Sequence, residues 1–291
     1  MTPKTRDSTA LVKNAEKVWW PDDGITKGEV ATFYDSVGTL LTPWLKDRPL
    51  VAERCPDGVS GFCFYQKNFP PGSQPQDLPR LKLHAASTKK DVHYLVGTNA
   101  RAAVALVDLG CIALHVFNVR QDDLDHPDWL AFDLDPTSKE FADAARAGLG
   151  LRTLLDEVKV SSFPKTSGAR GLHVFVPLRR THSQEDVRTS AMRIGEELAA
   201  RMPDLVTVEF SIAKRGTRVY ADAGRNALTQ TIVSPYSVRR RPHAPVSTPL
   251  EWDEVSPRLD PARFTVRTFA RLRKSDPWSD FWRKRQSLPK S

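Results

Sequence analysis

Asp133 and Asp135 stand two residues apart in the run Trp129-Leu130-Ala131-Phe132-Asp133-Leu134-Asp135-Pro136. Alternate side chains of an extended segment share a face, so Leu130, Phe132 and Leu134 suit a core and both carboxylates fall on the opposite side. Carboxylates that close repel, and one tends to keep its proton unless a cation intervenes. A hard divalent cation with oxygen ligands removes the conflict and makes the pair chemically useful. A strand that simply ends at an Asp-Pro turn has the same residues and no chemistry, so the surroundings decide. In Arg218-Val219-Tyr220-Ala221-Asp222 the same alternation puts Arg218, Tyr220 and Asp222 on one face, which makes Asp222 a candidate third carboxylate.

Groups for an anionic ligand lie elsewhere. In Lys165-Thr166-Ser167-Gly168-Ala169-Arg170-Gly171-Leu172-His173 a strand enters a Thr-Ser-Gly turn and another leaves it, with His173 turned away from the aliphatic side. Small residues at such a turn let backbone N–H groups approach a ligand, and Ser167 and Arg170 add donors for phosphate oxygens. No G-x-x-x-x-G-K-[ST] pattern is present, so this is not a Walker-type loop. A plain hairpin turn also fits, and a triphosphate cradle follows only if the turn lies beside the Asp pair. Arg239, Arg240 and Arg241 cannot share one face, which leaves at least one guanidinium for phosphate. Lys17 and Lys27 flank a helix start, a place suited to a phosphate, although solvated surface lysines look the same. Phe64 and Tyr65 cannot both be buried on one strand face, so one of them can stack on a base. His115, near the end of an apolar segment, reads most simply as a structural residue.

The elements that must position these groups alternate between strands and amphipathic helices. Thr26-Lys27-Gly28-Glu29 reads as a capping box. It opens a helix through about Leu45, with Val30, Phe33, Tyr34, Val37, Leu40, Leu41 and Trp44 as its apolar stripe. Strands are predicted at 50–54 and 62–67 around a Pro-Asp-Gly turn. Residues 68–91, with Arg80, Lys82, His84, Lys89 and Lys90, read as a long irregular basic connection. Thr137-Ser138-Lys139-Glu140 is a second capping box, opening a helix to about Val158, and a third amphipathic helix covers 183–202. Leu205 to Phe210 and Arg218 to Asp222 read as strands and 242–263 as a Pro-rich loop. The tail from Phe264, with Trp278, Phe281 and Trp282, reads as a segment docked over the core.

The 291 residues suffice for a large core, and 40% apolar with 27% charged residues describe an ordinary globular protein. An excess of 43 Lys+Arg over 35 Asp+Glu, +8 net, favours a polyanionic partner. No apolar run reaches membrane-spanning length and Met1 to Asp7 carries no hydrophobic signal core, which points to a cytoplasmic protein with no membrane partner. Cys55, Cys63 and Cys111 form no C-x-x-C pair, so reduced thiols are expected and a structural zinc is not.

Taken together these stretches resemble a known family, the polymerase domain of bacterial ATP-dependent DNA ligase D, within the archaeo-eukaryotic primase superfamily. The resemblance runs from about Asn14 to Trp278. It rests on Pro21-Asp22-Asp23-Gly24-Ile25-Thr26-Lys27-Gly28, Phe132-Asp133-Leu134-Asp135-Pro136, Lys165-Thr166-Ser167-Gly168 with Gly171-Leu172-His173-Val174, and Pro235-Tyr236-Ser237-Val238-Arg239. It implies an α+β fold, a two-lobed core of mainly antiparallel sheets around a central cleft with helices outside. Residues 1–13 would be a flexible segment and 14–291 a single catalytic domain. No ligase or nuclease sequence is recognised, so the chain resembles a stand-alone member.

The resemblance also implies site roles. Asp133, Asp135 and Asp222 correspond to carboxylates holding two Mn²⁺ or Mg²⁺ ions. Ser167, Gly168, Arg170, His173 and Arg239 correspond to groups around an incoming NTP or dNTP. Asn14, Lys17 and Lys27 match a pocket for a downstream 5′-phosphate, Phe64 and Tyr65 the template-stacking positions, and His115 a histidine near the primer terminus. Glu53 stands where a basic residue is expected, and Arg170 where lysine is frequent. The implied function is template-directed nucleotidyl transfer across short gaps or broken DNA ends, with ribonucleotides accepted. The implied protein is a monomer acting at the nucleoid with an ATP-dependent ligase and Ku as partners. A de novo primase, a non-catalytic end- or gap-binding module and a metal-dependent nuclease are the alternatives.

Overall fold

The computed structural model describes residues 11–85 and 89–289. Strand β1 (Val18–Trp20) pairs with β2 (Ile25–Thr26), and helices α1 (Lys27–Ser36) and α2 (Gly38–Leu45) follow. Then come β3 (Pro49–Arg54), β4 (Phe64–Gln66), β5 (Arg80–Ala85), β6 (Lys90–Val96), α3 (Ala100–Asp108) and β7 (Cys111–Val116). The second half carries β8 (Trp129–Pro136), α4 (Phe141–Glu157), β9 (Phe163–Thr166), β10 (Leu172–Pro177) and α5 (Gln184–Arg201). Short elements complete it: β11 (Val206–Thr207), α6 (Ile212–Arg215), β12 (Val219–Asp222), β13 (Ile232–Val233) and α7 (Phe269–Leu272). One large sheet runs β13-β7-β3-β6-β5 with β4 on β3, the other β11-β12-β8-β10-β9. Every pairing in them is antiparallel except β11 with β12. This is the expected α+β class.

The two sheets have separate cores that meet along β8 and β10. Leu130, Phe132 and Leu134, with Leu172, Val174 and Val176, pack under α4 and α5, while Trp129, Ala131 and Phe175 point the other way into the first core. Both strands are therefore buried on both faces at one end. At the other end only the aliphatic face stays covered, and the opposite face opens into a cleft between the sheets. The tail docks as expected: Trp278 and Phe281 are buried and pack with Phe175 and Trp44.

Several local expectations change. The Thr26/Glu29 capping box forms, but the helix stops at Val37 and restarts at Gly38, whose missing side chain lets α2 seat against α3: a Cβ there would lie 2.9 Å from that of Ala100. The box at Thr137–Glu140 does not form, because Lys139 adopts φ +71° and the helix begins at Phe141. Residues 80–85 and 90–96 are paired antiparallel strands rather than irregular chain, with Leu81 and Leu83 alternating against Lys82 and His84. Arg80 is spent on the carbonyls of Phe69, Ser73, Pro75 and Leu78, and Lys82 and His84 both pair with Asp91. The 205–210 strand shrinks to Val206–Thr207, and the 218–222 strand begins at Val219, with the Arg218 guanidinium on the carbonyls of Lys214 and Arg215.

Cys55 and Cys63 do not remain reduced thiols: the turn between β3 and β4 brings their Cα atoms to 4.4 Å and they form a disulfide, leaving Cys111 free and buried. Most of the expected loose segment, residues 1–10, lies outside the described residues. Leu11 to Lys13 are fixed, with Val12 buried and the Lys13 N–H donating to Asp108.

Candidate active site

Strand register assembles the polar centre. His173 on β10 lies opposite Asp133 on β8, Lys165 on β9 opposite His173, and Asp222 on β12 opposite Asp133 from the other side. A single row, Lys165–His173–Asp133–Asp222, thus crosses four strands at the open end of the sheet. Lys165 is fully buried, which with Arg239 nearby pushes its pKa well down, and its Nζ donates to Ser247 (2.5 Å) and to His173 Nδ1 (2.9 Å). That leaves the ring proton on Nε2, which faces Asp133 Oδ1 at 3.2 Å. Burial, with Lys165 alongside, lowers the His173 pKa to about 4, so the ring is neutral near pH 7.

The carboxylates divide. Burial works against ionisation of Asp133, yet His173 and Arg225 outweigh it and hold its carboxyl well below the usual range. Burial and the neighbouring Asp133 charge push Asp135 up. Burial raises Asp222 as well, with Arg225 offsetting part of the rise and Asp133 adding to it. The Arg225 guanidinium lies 3.0 Å from Asp222 and 3.6 Å from Asp133. Among the described residues no three acidic, His or Cys side chains already converge as a metal cage.

The cleft has two arms that share Asp133, His173 and Arg239. One, about 430 Å³, is lined by Asp135, Ser167, Arg170, Gly171, Lys139, Arg215 and Arg241. Its wall is the turn after β9. Ser167 Oγ accepts from the N–H groups of Ala169 and Gly171, at 3.1 Å each, and so shapes the turn and keeps its hydroxyl proton free. Arg239 Nη1 donates to the Ser167 carbonyl at 2.8 Å, stacked over Gly168. The structure thus brings Ser167, Arg170, His173 and Arg239 to one arm with Asp133 and Asp135, and Gly168 lies in the turn behind them against Arg239. Lys139 and Arg215 are additions, and Arg241 is the member of the Arg239–Arg241 run that joins Arg239 in this arm. Lys139 hid in the apparent capping box, and Arg215, stacked on Tyr220 at 3.8 Å, carried only the signal of a basic residue just before β12.

The other arm, about 550 Å³, is lined by Tyr65, Lys67, Tyr94, His115, Arg225 and Thr229 to Val233. Tyr65 is 58% exposed here, edge-on to His115 at 5.3 Å. Phe64 faces the other side of β4, against Phe62 and under Arg54. Burial and the nearby Arg239 push the His115 pKa far down, and its Nε2 has no hydrogen-bond partner among the described residues. Glu53, buried beside Tyr65 in the register, pairs with Arg240 at 2.9 Å, so its charge serves the arginine run.

Asn14, Lys17 and Lys27 lie together, and both ammonium groups are occupied. Lys17 holds Pro56 and Asp57, while Lys27, 6% exposed, donates to the Lys13 and Asp108 carbonyls and the Asp108 carboxylate. Asn14 is exposed, with φ +51° in the turn that receives the Lys17 N–H.

Residues 26–278 match the family LigD, primase-polymerase domain. The chain belongs to that family. Enzymes of the LigD primase-polymerase family are DNA-repair nucleotidyltransferases. The chain is 31% identical to the Multifunctional non-homologous end joining protein LigD of Pseudomonas aeruginosa over 98% of its length, and 30% identical to the Bifunctional non-homologous end joining protein LigD of Bacillus subtilis over 95%. It spans 34% and 44% of those relatives. Among solved structures it is similar to the polymerase domain of Mycobacterium tuberculosis Ligase D in complex with DNA. That likeness has a TM-score of 0.84 and 27% identity, and covers 94% of this chain and 98% of that one. In this primase-polymerase no described helix is long and apolar enough to cross a membrane.

Proposed function

We propose that the chain extends a primer, template-directed, across short DNA gaps or broken ends, using NTPs or dNTPs at the cleft. One observation carries the reading: two acidic side chains meet in register across from a neutral histidine, beside an arm lined with guanidinium groups. The residues suit a pair of Mg²⁺ or Mn²⁺ ions. Asp133, Asp135 and Asp222 offer hard oxygen donors, two of them held toward the protonated form by burial and crowding, and one guanidinium already lies against two of the three. Such ions, when bound, lower the pKa of a 3′-hydroxyl and stabilise leaving pyrophosphate.

The protein side chains do the rest. Arg170, Arg239 and the Ser167 hydroxyl receive triphosphate oxygens, with Lys139, Arg215 and Arg241 adding charge where phosphate charge builds. His173 keeps Asp133 oriented through Nε2–H. Tyr65 and His115 offer a stacking and packing surface to primer and template in the second arm. Asn14, Lys17 and Lys27 would take a downstream 5′-phosphate, which must displace Asp57 and Asp108 from the two ammonium groups. A ligase and Ku as partners, action in the cytoplasm at the nucleoid, a single domain over 14–291 and acceptance of ribonucleotides rest on likeness to the relatives.

The test is incorporation of a labelled nucleotide into a gapped duplex by Asp133→Ala/Asp135→Ala, which is expected to vanish while DNA binding remains; retained incorporation ends the assignment. Binding to gapped DNA with and without the 5′-phosphate, across a salt series, tests the Lys17 and Lys27 assignment. Equal affinities would remove it.

A further inference from the structure

Asp133 and Asp222 face each other directly across the antiparallel β8–β12 pair, an arrangement that is destabilising for like charges. Arg225 is the cation beside them, with Nε 3.0 Å from Asp222 and 3.6 Å from Asp133. Its backbone is fixed on both sides. The Gly224 N–H donates to Asp222 Oδ1 at 2.9 Å. The next residue, Asn226, is wholly buried, exchanges two 2.8 Å hydrogen bonds with the Ala131 backbone on β8, and accepts from Gln184 at its carbonyl. The side chain is freer, 38% exposed, and borders the 550 Å³ arm lined by Tyr65 and Thr229.

We propose that Arg225 is the resident counter-cation of the Asp133/Asp222 pair, and that a divalent cation entering between these carboxylates must displace its guanidinium into the neighbouring arm of the cleft. The inference rests on the metal-dependent reading above. It makes Arg225 a positioning residue that lowers metal affinity in the free protein: its Nε stands against the carboxylate oxygens without a hydrogen bond to them, and its charge repels an incoming cation. It also makes Arg225 stabilise the metal-free protein, where among the described residues it is the cation paired with Asp222.

Two measurements without turnover test this on the whole chain. Free Mn²⁺ in a titration is read by electron paramagnetic resonance, and thermal unfolding is followed in a chelator and in excess Mn²⁺. Arg225→Gln is expected to bind Mn²⁺ about tenfold more tightly than the parent, a modest fraction of the Coulomb limit because the site is partly solvated. It should also melt lower than the parent in chelator, with the gap closing in Mn²⁺. Arg225→Lys, which keeps the charge, should stay nearer the parent in both and serves if the Gln protein does not fold. For Arg225→Lys, tighter binding equal to that expected of Gln would overturn the role of charge. Arg225→Gln binding equal to or weaker than the parent overturns the proposal while leaving the metal reading intact. A parent protein that takes up no Mn²⁺ at millimolar concentration removes the metal reading and the proposal with it.

Discussion

His173 is held between the Lys165 Nζ and a carboxylate, and burial keeps it unprotonated in the folded chain down to about pH 4. In the unfolded chain an ordinary imidazole takes up its proton near pH 6.5. Between those limits the unfolded state binds more protons than the folded state, so stability rises with pH through the window and is lost as pH falls through it. The contribution is on the order of 3 kcal/mol. Urea unfolding at pH 7.0 and 4.5 should therefore show a smaller drop for His173→Gln than for the parent, after allowing for the carboxylates common to both. Identical drops would mean that the ring is protonated in the fold. Residue types were well signalled at this scale, but their partners were not: Lys27 reads as a free ammonium and is instead tied to Asp108 and two carbonyls.

The turn after β9 works as an element, since neither Ser167 nor Arg239 holds its position alone. Gly168 has φ +70°, and a Cβ there would fall 2.5 Å from Arg239 Cγ and 3.0 Å from the Ser247 backbone nitrogen. Gly168→Ala must therefore move the turn, the arginine or both. Because an ångström of misplacement is costly, kcat/KM for a single nucleotide addition is expected to fall on the order of ten- to a hundredfold. DNA binding in the absence of nucleotide should change little. Unaltered addition kinetics would show that Arg239 does not touch the nucleotide. Strands and long helices were legible here because their periodicity is local: the 183–202 helix is found at Gln184–Arg201 with its Ser183 cap. The β5–β6 pair was not, because its outward positions are basic and polar and hide the alternation of Leu81, Leu83, Val92 and Tyr94.

For the molecule as a whole, a buried ion pair ties distant segments together. Arg48, between α2 and β3, donates from one nitrogen, Nη2, to both carboxylate oxygens of Asp128 at 2.6 and 2.7 Å, just before β8, and Arg120 adds a third bond at 2.8 Å. Its guanidinium lies 5.8 Å from the Trp282 ring of the tail. Burial lowers the Arg48 pKa to about 10, which leaves it charged at neutral pH and dependent on Asp128. Asp128→Ala strands that charge and is expected to destabilise the fold by about 3–5 kcal/mol in chemical denaturation. Asp128→Asn, which keeps acceptors, should lose less. A loss under 1 kcal/mol for Ala would mean that water reaches Arg48.

The sequence by itself determined which residues share a face: Asp133 with Asp135, His173 with Phe175, Tyr220 with Asp222. Alternation along a strand is a property of the backbone and needs no partner. It also determined the chemistry available, carboxylates and guanidinium groups in a basic chain. Only the tertiary structure decided which faces meet. Asp222 is opposite Asp133 because Val219 and Ala221 must reach the core under α4 and α5, which fixes the β12 register some ninety residues from β8. The same packing sets Arg225 against Asp133 as well as Asp222. The contact with Asp133 spans the pairing of β12 with β8, so it leaves no pattern in the sequence.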